Sequence, residues 1–381
     1  MRVIDQNSRL SYLQQRLNYA YKHFSDPLNI SENVPVWPQD SIFSISHQEE
    51  SPDIFQHYLN SQGSELLINN IKIVERRKYG INIDSANILV SNGALHGLSL
   101  ILRTFKFSKV LCQKPVFASI PELMKNAGYF VEYFDLKDDI DKIERLILSG
   151  KHDFIYLNIP NNPMGDLCSA EKFDSILKLA ESYNIKILLD MVYDAYIEDE
   201  NYLKFLFHNF IDLKNVYIVN SVSKAYGAPG LRVGWIISNP KNIQYLQCFL
   251  EKECICVSAS SQALAVYFLQ NGNKILVDRV KEGRKNINNY FHGQKAIILN
   301  NPLGGVCFLA DFDTSNIEEF IDFMLLEYKV VLASSSNYVG LDKNNVFRIP
   351  MGHSEDILYE AFERIFDGAT RWIGSQNRIV A

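Results

Sequence analysis

Between about residues 85 and 240 the chain alternates seven short apolar runs, ANILVS, KVLCQ, YFVEYF, DFIYLNI, KILLD, NVYIVNS and RVGWIIS, with amphipathic stretches such as IPELMKNAG and AEKFDSILKLAESYN. The runs have strand length, and in the stretches between them apolar residues recur at three and four, the spacing of one helix face. A helix after each strand carries the chain back over the sheet, so successive strands enter in the same direction. The pattern predicts an α/β fold: a large domain with a mostly parallel seven-stranded sheet flanked by helices.

At 381 residues the chain exceeds the usual single-core size, and a second lobe is expected. Residues 275–295 read as a long polar-faced helix leading away from the first lobe. After it, the strand-like AIIL, VCFLADF, VVLA and VFRIP alternate with the helical IEEFIDFMLLEY and SEDILYEAFERIF, which makes a smaller α+β domain. The N-terminal helical run SRLSYLQQRLNYAYKHF and the loop NISENVPVWPQD are expected to pack on it. The expected division is a large domain over 46–284 and a discontinuous small domain over 1–45 and 285–381, while the tail from about 368 gives no clear signal. A net charge of −6 without a basic stripe argues against nucleic-acid and anionic-membrane surfaces, and favours small-molecule ligands. The start lacks the apolar core of a signal peptide and no run approaches bilayer length, which implies a cytoplasmic location. Six cysteines without CxxC pairs or zinc spacing imply reduced thiols and no metal.

The run NSVSKAYGAPGLRVGW, residues 220–235, sets Lys224 beside hydroxyls and a fixed cation. An amine close to Arg232 and packed among apolar neighbours loses its proton more readily than a free lysine, as a Schiff-base nucleophile requires. Ser221, Ser223 and Arg232 would then bind a phosphate. The bland alternative is a glycine-rich surface turn that holds a lysine. At this string the sequence resembles the class I/II aminotransferase family of pyridoxal-phosphate enzymes (fold type I), whose pattern S-x-S-K-x-[FY]-G-x-x-G-x-R-x-G it matches at every fixed position. The resemblance implies that Lys224 holds pyridoxal 5'-phosphate as an internal aldimine.

Further segments acquire roles under that resemblance, which spans roughly residues 55–365. In ILVSNGALHGLSLIL a strand gives way to a helix at Gly93, Ala94 and Leu95, where exposed N–H groups and the helix dipole favour a phosphate. A plain turn fits the string as well; the family uses these amides for the cofactor phosphate. His96 in the same run reads as packing. Phe117 follows a proline at a strand end; it is either one more core phenylalanine or, as the family pattern P-x-[YF] implies, a ring stacked on the cofactor. In YLNIPNNPMG, Asn162 corresponds to the family asparagine that bonds the phenolic oxygen of the cofactor. Asp190 ends an apolar strand, where it either caps the next turn or, as in the family, pairs with the protonated pyridine nitrogen. Tyr193, three residues on, would donate to the ring oxygen and help to lower the Schiff-base pKa. Arg348, within the short strand VFRIP, is either half of a salt bridge or the family's bidentate anchor for a substrate α-carboxylate. Tyr58 matches a tyrosine that reaches the phosphate from a neighbouring subunit, so a homodimer is implied.

The implied reaction starts with proton loss at Cα to a quinonoid stabilised by the Asp190-paired ring, with Lys224 as the base, and transamination of an L-amino acid is the leading outcome. Two segments depart from the family pattern: VLASSSNYVG, residues 331–340, stands where a Pro-Gly-x-x-Phe-Gly turn is usual, and NISENVPVWPQD lacks the glycine of the substrate loop. Similar departures mark members that act on arginine or hydroxyarginine as oxidases or cyclases, and this is the second reading. Glu32 and Asp40 are candidate partners for a cationic side chain. A non-catalytic relative of the same fold is the third reading, disfavoured because every catalytic role has a residue.

Overall fold

The structure, a computed structural model, describes residues 3–38, 56–105, 109–199, 201–208, 213–314 and 316–379. The seven apolar runs form one sheet: β1 (Ile88–Ser91), β2 (Lys109–Lys114), β3 (Phe130–Asp135), β4 (Phe154–Asn158), β5 (Lys186–Asp190), β6 (Val216–Ser221) and β7 (Gly234–Ile237), in the order β1-β7-β6-β5-β4-β2-β3. Neighbours from β6 to β3 are parallel, whereas β7 runs antiparallel to both β6 and β1. No full-length helix separates β6 from β7, so the chain turns back beside the strand it has just left. The register then sets Gly234 against both Ser221 and Ser91, which joins three strand ends at one edge.

Alternate residues of these strands enter two different cores. Ile187 and Leu189 of β5 pack with Ile155, Leu157 and Ile218 on one face, while Leu188 packs with Tyr156, Tyr217 and Val219 on the other. Period-two alternation of two apolar sets explains why the runs read as continuously hydrophobic: both faces are covered by helices. A one-residue slip would exchange the two apolar sets between differently shaped cores, so close packing on both faces fixes the register.

A second, antiparallel sheet contains β8 (Ile297–Leu299), β9 (Cys307–Phe312), β10 (Ala333–Ser334) and β11 (Val346–Pro350), in the order β8-β9-β11-β10. Its core draws Val280 and Ile287 from the long helix Lys274–Phe291, so that helix spans residue 284, where the reading of the sequence divides the chain. The N-terminal helix Tyr12–His23 docks here through Arg16, 1% exposed, whose guanidinium meets Asp322 at 2.9 Å and Glu318 at 2.8 Å. The tail corrects the reading of the sequence: a single helix, Glu355–Ile379, runs through the segment that gave no signal. Ile365, Ala369, Trp372 and Ile373 keep the spacing of three and four and pack on the second core. A two-residue antiparallel pairing of Val116–Phe117 with Tyr338–Val339 ties the end of β2 to the second lobe.

Candidate active site

The ends of β4, β5 and β6, the start of the helix that follows β1 and the loop that precedes β7 open onto a cavity of about 860 Å³. Its walls include Ala94, Leu95, Phe117, Asn162, Asp190, Tyr193, Ser221, Ser223, Lys224, Arg232 and Arg348, so one space gathers these residues from six segments that are distant in sequence. Gly93, which precedes Ala94, is not itself among the lining residues. Ligand crevices form at the carboxyl ends of strands in sheets of this kind, because helix N-termini and strand-end side chains converge there.

Lys224 sits in the one-turn helix Val222–Ala225 that follows β6. Burial pulls its amine down from the ordinary lysine range to about 8; the Arg348 guanidinium adds to this, Glu32 opposes it, and Arg232 contributes less than Arg348. Burial and Arg232, the two causes expected from the sequence, both act on the amine, and the folded chain adds the distant Arg348, whose effect exceeds that of Arg232.

Asp190 is 7% exposed, and burial raises its carboxyl to about 6. Its side chain accepts from the Tyr156 hydroxyl at 2.9 Å and, weakly, from the Val192 N–H at 3.4 Å. Neither partner carries charge, so a cation in the cavity would be stabilised by this carboxylate. Beside it, Asn158 donates to the Asp190 carbonyl at 2.9 Å and accepts from the Asn162 N–H at 2.7 Å, which fixes the Asn162 turn on the strand that carries Asp190. Asn33 donates to the Tyr193 hydroxyl oxygen at 3.1 Å.

At the other end of the cavity the elements suit an anion. The leading N–H groups of helix Ala94–Thr104 have no partner inside the helix. Arg232 adopts φ 54° and donates to the Pro229 carbonyl at 2.9 Å and to the Asn92 carbonyl at 3.4 Å. Gly93, at φ 80°, leaves room for it: a Cβ there would lie 2.6 Å from an Arg232 nitrogen. Gly234 is equally constrained, since its Cβ would stand 2.6 Å from the Gly93 carbonyl carbon. His96 is a correction: rather than packing, its Nδ1 accepts from the Asn92 N–H at 3.0 Å and its Nε2 lies 3.3 Å from Glu253.

Arg348 is 6% exposed and, among the described residues, pairs with no carboxylate. It donates to the Tyr338 hydroxyl at 2.7 Å and to the Ser31 carbonyl, while its Nε is buried without a partner. A buried donor left unmade costs free energy that an incoming carboxylate recovers. Phe117 stands at the cavity mouth, 36% exposed. Tyr58 is 78% exposed and does not line the cavity, and Asp40 lies outside the described residues. The reading of the sequence misses Tyr156, Asn158, Asn33 and Ser31. Tyr156 and Asn158 alternate with buried Leu157 on β4, and two polar tips on an otherwise apolar strand are the signal that could have found them.

Residues 26–365 match the family described as aminotransferase class I and II. The chain belongs to that family. Similar proteins cover it almost end to end: an L-aspartate:5-guanidino-3-methyl-2-oxopentanoate transaminase from Pseudomonas syringae pv. syringae is 34% identical over 97% of this chain and 97% of its own length. A 3-methylarginine biosynthesis aminotransferase from Streptomyces arginensis is 30% identical over 93% of this chain and 96% of its own. The aminotransferase also shares its fold with aspartate aminotransferase from Thermotoga maritima, with a TM-score of 0.81 over 94% of this chain and 96% of that one at 22% identity. The family is one of pyridoxal-phosphate enzymes. In this aminotransferase the residues present fit that group: a carboxylate lacking a cation, an anion cradle at Gly93 and a lysine of lowered pKa face one cavity.

Proposed function

We propose that this aminotransferase binds pyridoxal 5'-phosphate through Lys224 and exchanges an amino group between an L-amino acid and a 2-oxo acid that bears a guanidino group. One observation carries the reading: Lys224, the cation-deficient Asp190 and the unpartnered Nε of Arg348 share a single cavity. Asp190 suits the protonated ring nitrogen, Tyr193 and Asn162 the phenolic oxygen, Phe117 the ring face, and Gly93, Ala94, Leu95, Ser221, Ser223 and Arg232 the phosphate. When bound, the cofactor supplies the electron sink for bond breaking at Cα. Arg348 holds the substrate α-carboxylate through its free donor, which aims Cα at Lys224. With its pKa near 8, the Lys224 amine is neutral in a useful fraction of molecules near physiological pH and takes the Cα proton.

The guanidino group is inferred from two sources. Two relatives that cover nearly the whole chain are named for guanidino or methylarginine chemistry, and both are named as amino-transfer enzymes. In this chain Glu32 lines the cavity, has no ion pair among the described residues, and exerts its field on Lys224. The two segments that depart from the family pattern supply Ser31, Glu32, Asn33, Ser336 and Asn337 to the cavity wall, so their changes bear on what the cavity accepts. The exposure of Tyr58 suits a role in a neighbouring copy's phosphate site within a cytoplasmic homodimer.

Borohydride reduction of the cofactor-loaded protein, followed by peptide mapping, should find the adduct on Lys224 and none in Lys224→Ala. Transfer from aspartate to a guanidino 2-oxo acid should exceed transfer to the straight-chain oxo acid of equal length, and Glu32→Gln should cut that preference about tenfold, the worth of one charge-assisted bond. Equal rates on the two acceptors would remove the guanidino assignment while leaving the aminotransferase reading in place.

A further inference from the structure

Asn33 belongs to the segment that lacks the family's usual glycine, and the structure gives its side chain a specific neighbourhood. It is 6% exposed, follows Ser31, whose carbonyl accepts from Arg348, and lines the cavity. Its Nδ2 donates to the Tyr193 hydroxyl oxygen at 3.1 Å and makes a longer contact of 3.5 Å with Asn162 Oδ1, while its Oδ1 is buried with no partner. Tyr193 and Asn162 are the two side chains that face the phenolic oxygen in the proposed function.

A tyrosine hydroxyl has one proton to give, and an asparagine amide has a donor end and an acceptor end. An N–H that occupies the oxygen of each leaves the Tyr193 O–H and the Asn162 Nδ2 to donate elsewhere. The cavity is what remains for them. A donor into the tyrosine oxygen also polarises its O–H and strengthens the bond that it makes onward. We propose that Asn33 is a positioning residue that orients Tyr193 and Asn162 as donors toward the phenolic oxygen of the bound cofactor, and so sets the pH at which the Lys224-linked nitrogen loses its proton. The proposal rests on the cofactor assignment made above. Its sign follows from electrostatics: donors aimed at the phenolic oxygen stabilise negative charge there, which favours proton loss from the adjacent nitrogen. Other charged groups act on the same nitrogen, namely Arg348, Glu32, Arg232 and Asp190, and Tyr193 also feels Arg348, Cys307 and Tyr338. All of these remain in place in the variants below.

The test is a pH titration of the visible absorption of the cofactor-loaded protein, wild type against Asn33→Ala and the isosteric Asn33→Asp. Asn33→Ala should raise the midpoint by about half a unit and lower kcat several-fold, with the KM of the amino donor held within about twofold. Asn33→Asp can only accept from Tyr193 and Asn162, and its midpoint should rise further. In the Tyr193→Phe background, Asn33→Ala should shift the midpoint by much less, because the route of its action has been removed. A midpoint unchanged in folded Asn33→Ala, or an equal shift with and without the Tyr193 hydroxyl, would overturn the proposal. A packing role would lower the melting temperature of Asn33→Ala and leave the midpoint alone. If the wild-type protein shows no band that borohydride traps at Lys224, the cofactor assignment fails and this inference with it.

Discussion

The Tyr196 hydroxyl donates to the Lys224 carbonyl at 2.9 Å and lies 3.3 Å from the Ala225 carbonyl, so the turn that follows Tyr193 is bonded to the turn that carries the lysine. The same turn is anchored behind the cavity. Asp194 Oδ2 accepts from Lys78 at 2.9 Å, Tyr79 at 2.7 Å and Asn220 at 2.8 Å, and Lys78 also bonds Glu75 at 2.8 Å. Asn220 immediately precedes Ser221. The two turns are thereby held by a polar cluster none of whose members lines the cavity.

Tyr196→Phe removes one bond and leaves the ring packing intact. It should cost about 1 kcal/mol of stability by thermal melting. Because the lysine backbone is then held less firmly, kcat should fall several-fold with little change in KM. Asp194→Ala should be far more damaging, about 3 kcal/mol, since it removes the buried acceptor shared by Lys78, Tyr79 and Asn220.

Such clusters mark the limit of what the sequence discloses. The sheet is legible because each strand is apolar on both faces, and the lysine loop because glycine, serine, lysine and arginine stand at fixed spacing. β7 is less so: its antiparallel sense depends on the absence of a crossover helix, which apolar periodicity does not encode. Asn33, Tyr156 and Asn158 are ordinary residues until the fold brings β4 beside β5 and lays the segment near Ser31 over the cavity. The same holds for Arg348, whose effect on Lys224 across 124 positions of chain exceeds that of Arg232 at 8. Charge acts through space, and pattern reading works along the chain.

The titration of Lys224 is measurable in cofactor-free protein by the pH dependence of its reductive methylation. The midpoint should lie near 8, well below that of surface lysines. Arg348→Ala should raise it by removing a like charge, and Glu32→Gln should lower it by removing an opposite one. Since the unfolded chain keeps this proton up to the ordinary lysine range, it binds more protons than the native state above about pH 8, and the stability of the cofactor-free protein should gain from this group as pH rises through that window.

Asp190 has the opposite linkage. Its folded pKa is raised to about 6 from 3.8, so between those values the native state holds the extra proton and stability falls as pH rises. Asp190→Asn in cofactor-free protein should therefore melt higher than wild type at pH 7, by about 2–3 kcal/mol at most, and near wild type at pH 4. Cofactor affinity should move the other way, with a weakened hold on pyridoxal phosphate in the same variant. Equal melting at pH 7 would show that the buried carboxylate finds compensation within the chain.

Gly93→Ala separates backbone cost from the geometry of the anion cradle. The new Cβ would meet Arg232 at 2.6 Å, and the combination of φ 80° with ψ 169° costs an L side chain about 1–3 kcal/mol. Gly272, at φ 75°, has nothing within 4 Å of its would-be Cβ, so Gly272→Ala imposes a similar backbone cost in open space. Both variants should lose comparable stability. Only Gly93→Ala should also displace the Arg232 guanidinium, and its Kd for pyridoxal phosphate, read by quenching of tryptophan fluorescence, should rise about tenfold, equivalent to about 1.4 kcal/mol. Equal affinities in the two variants would mean that Arg232 moves aside without consequence and that the phosphate is held by the helix amides and the serines alone.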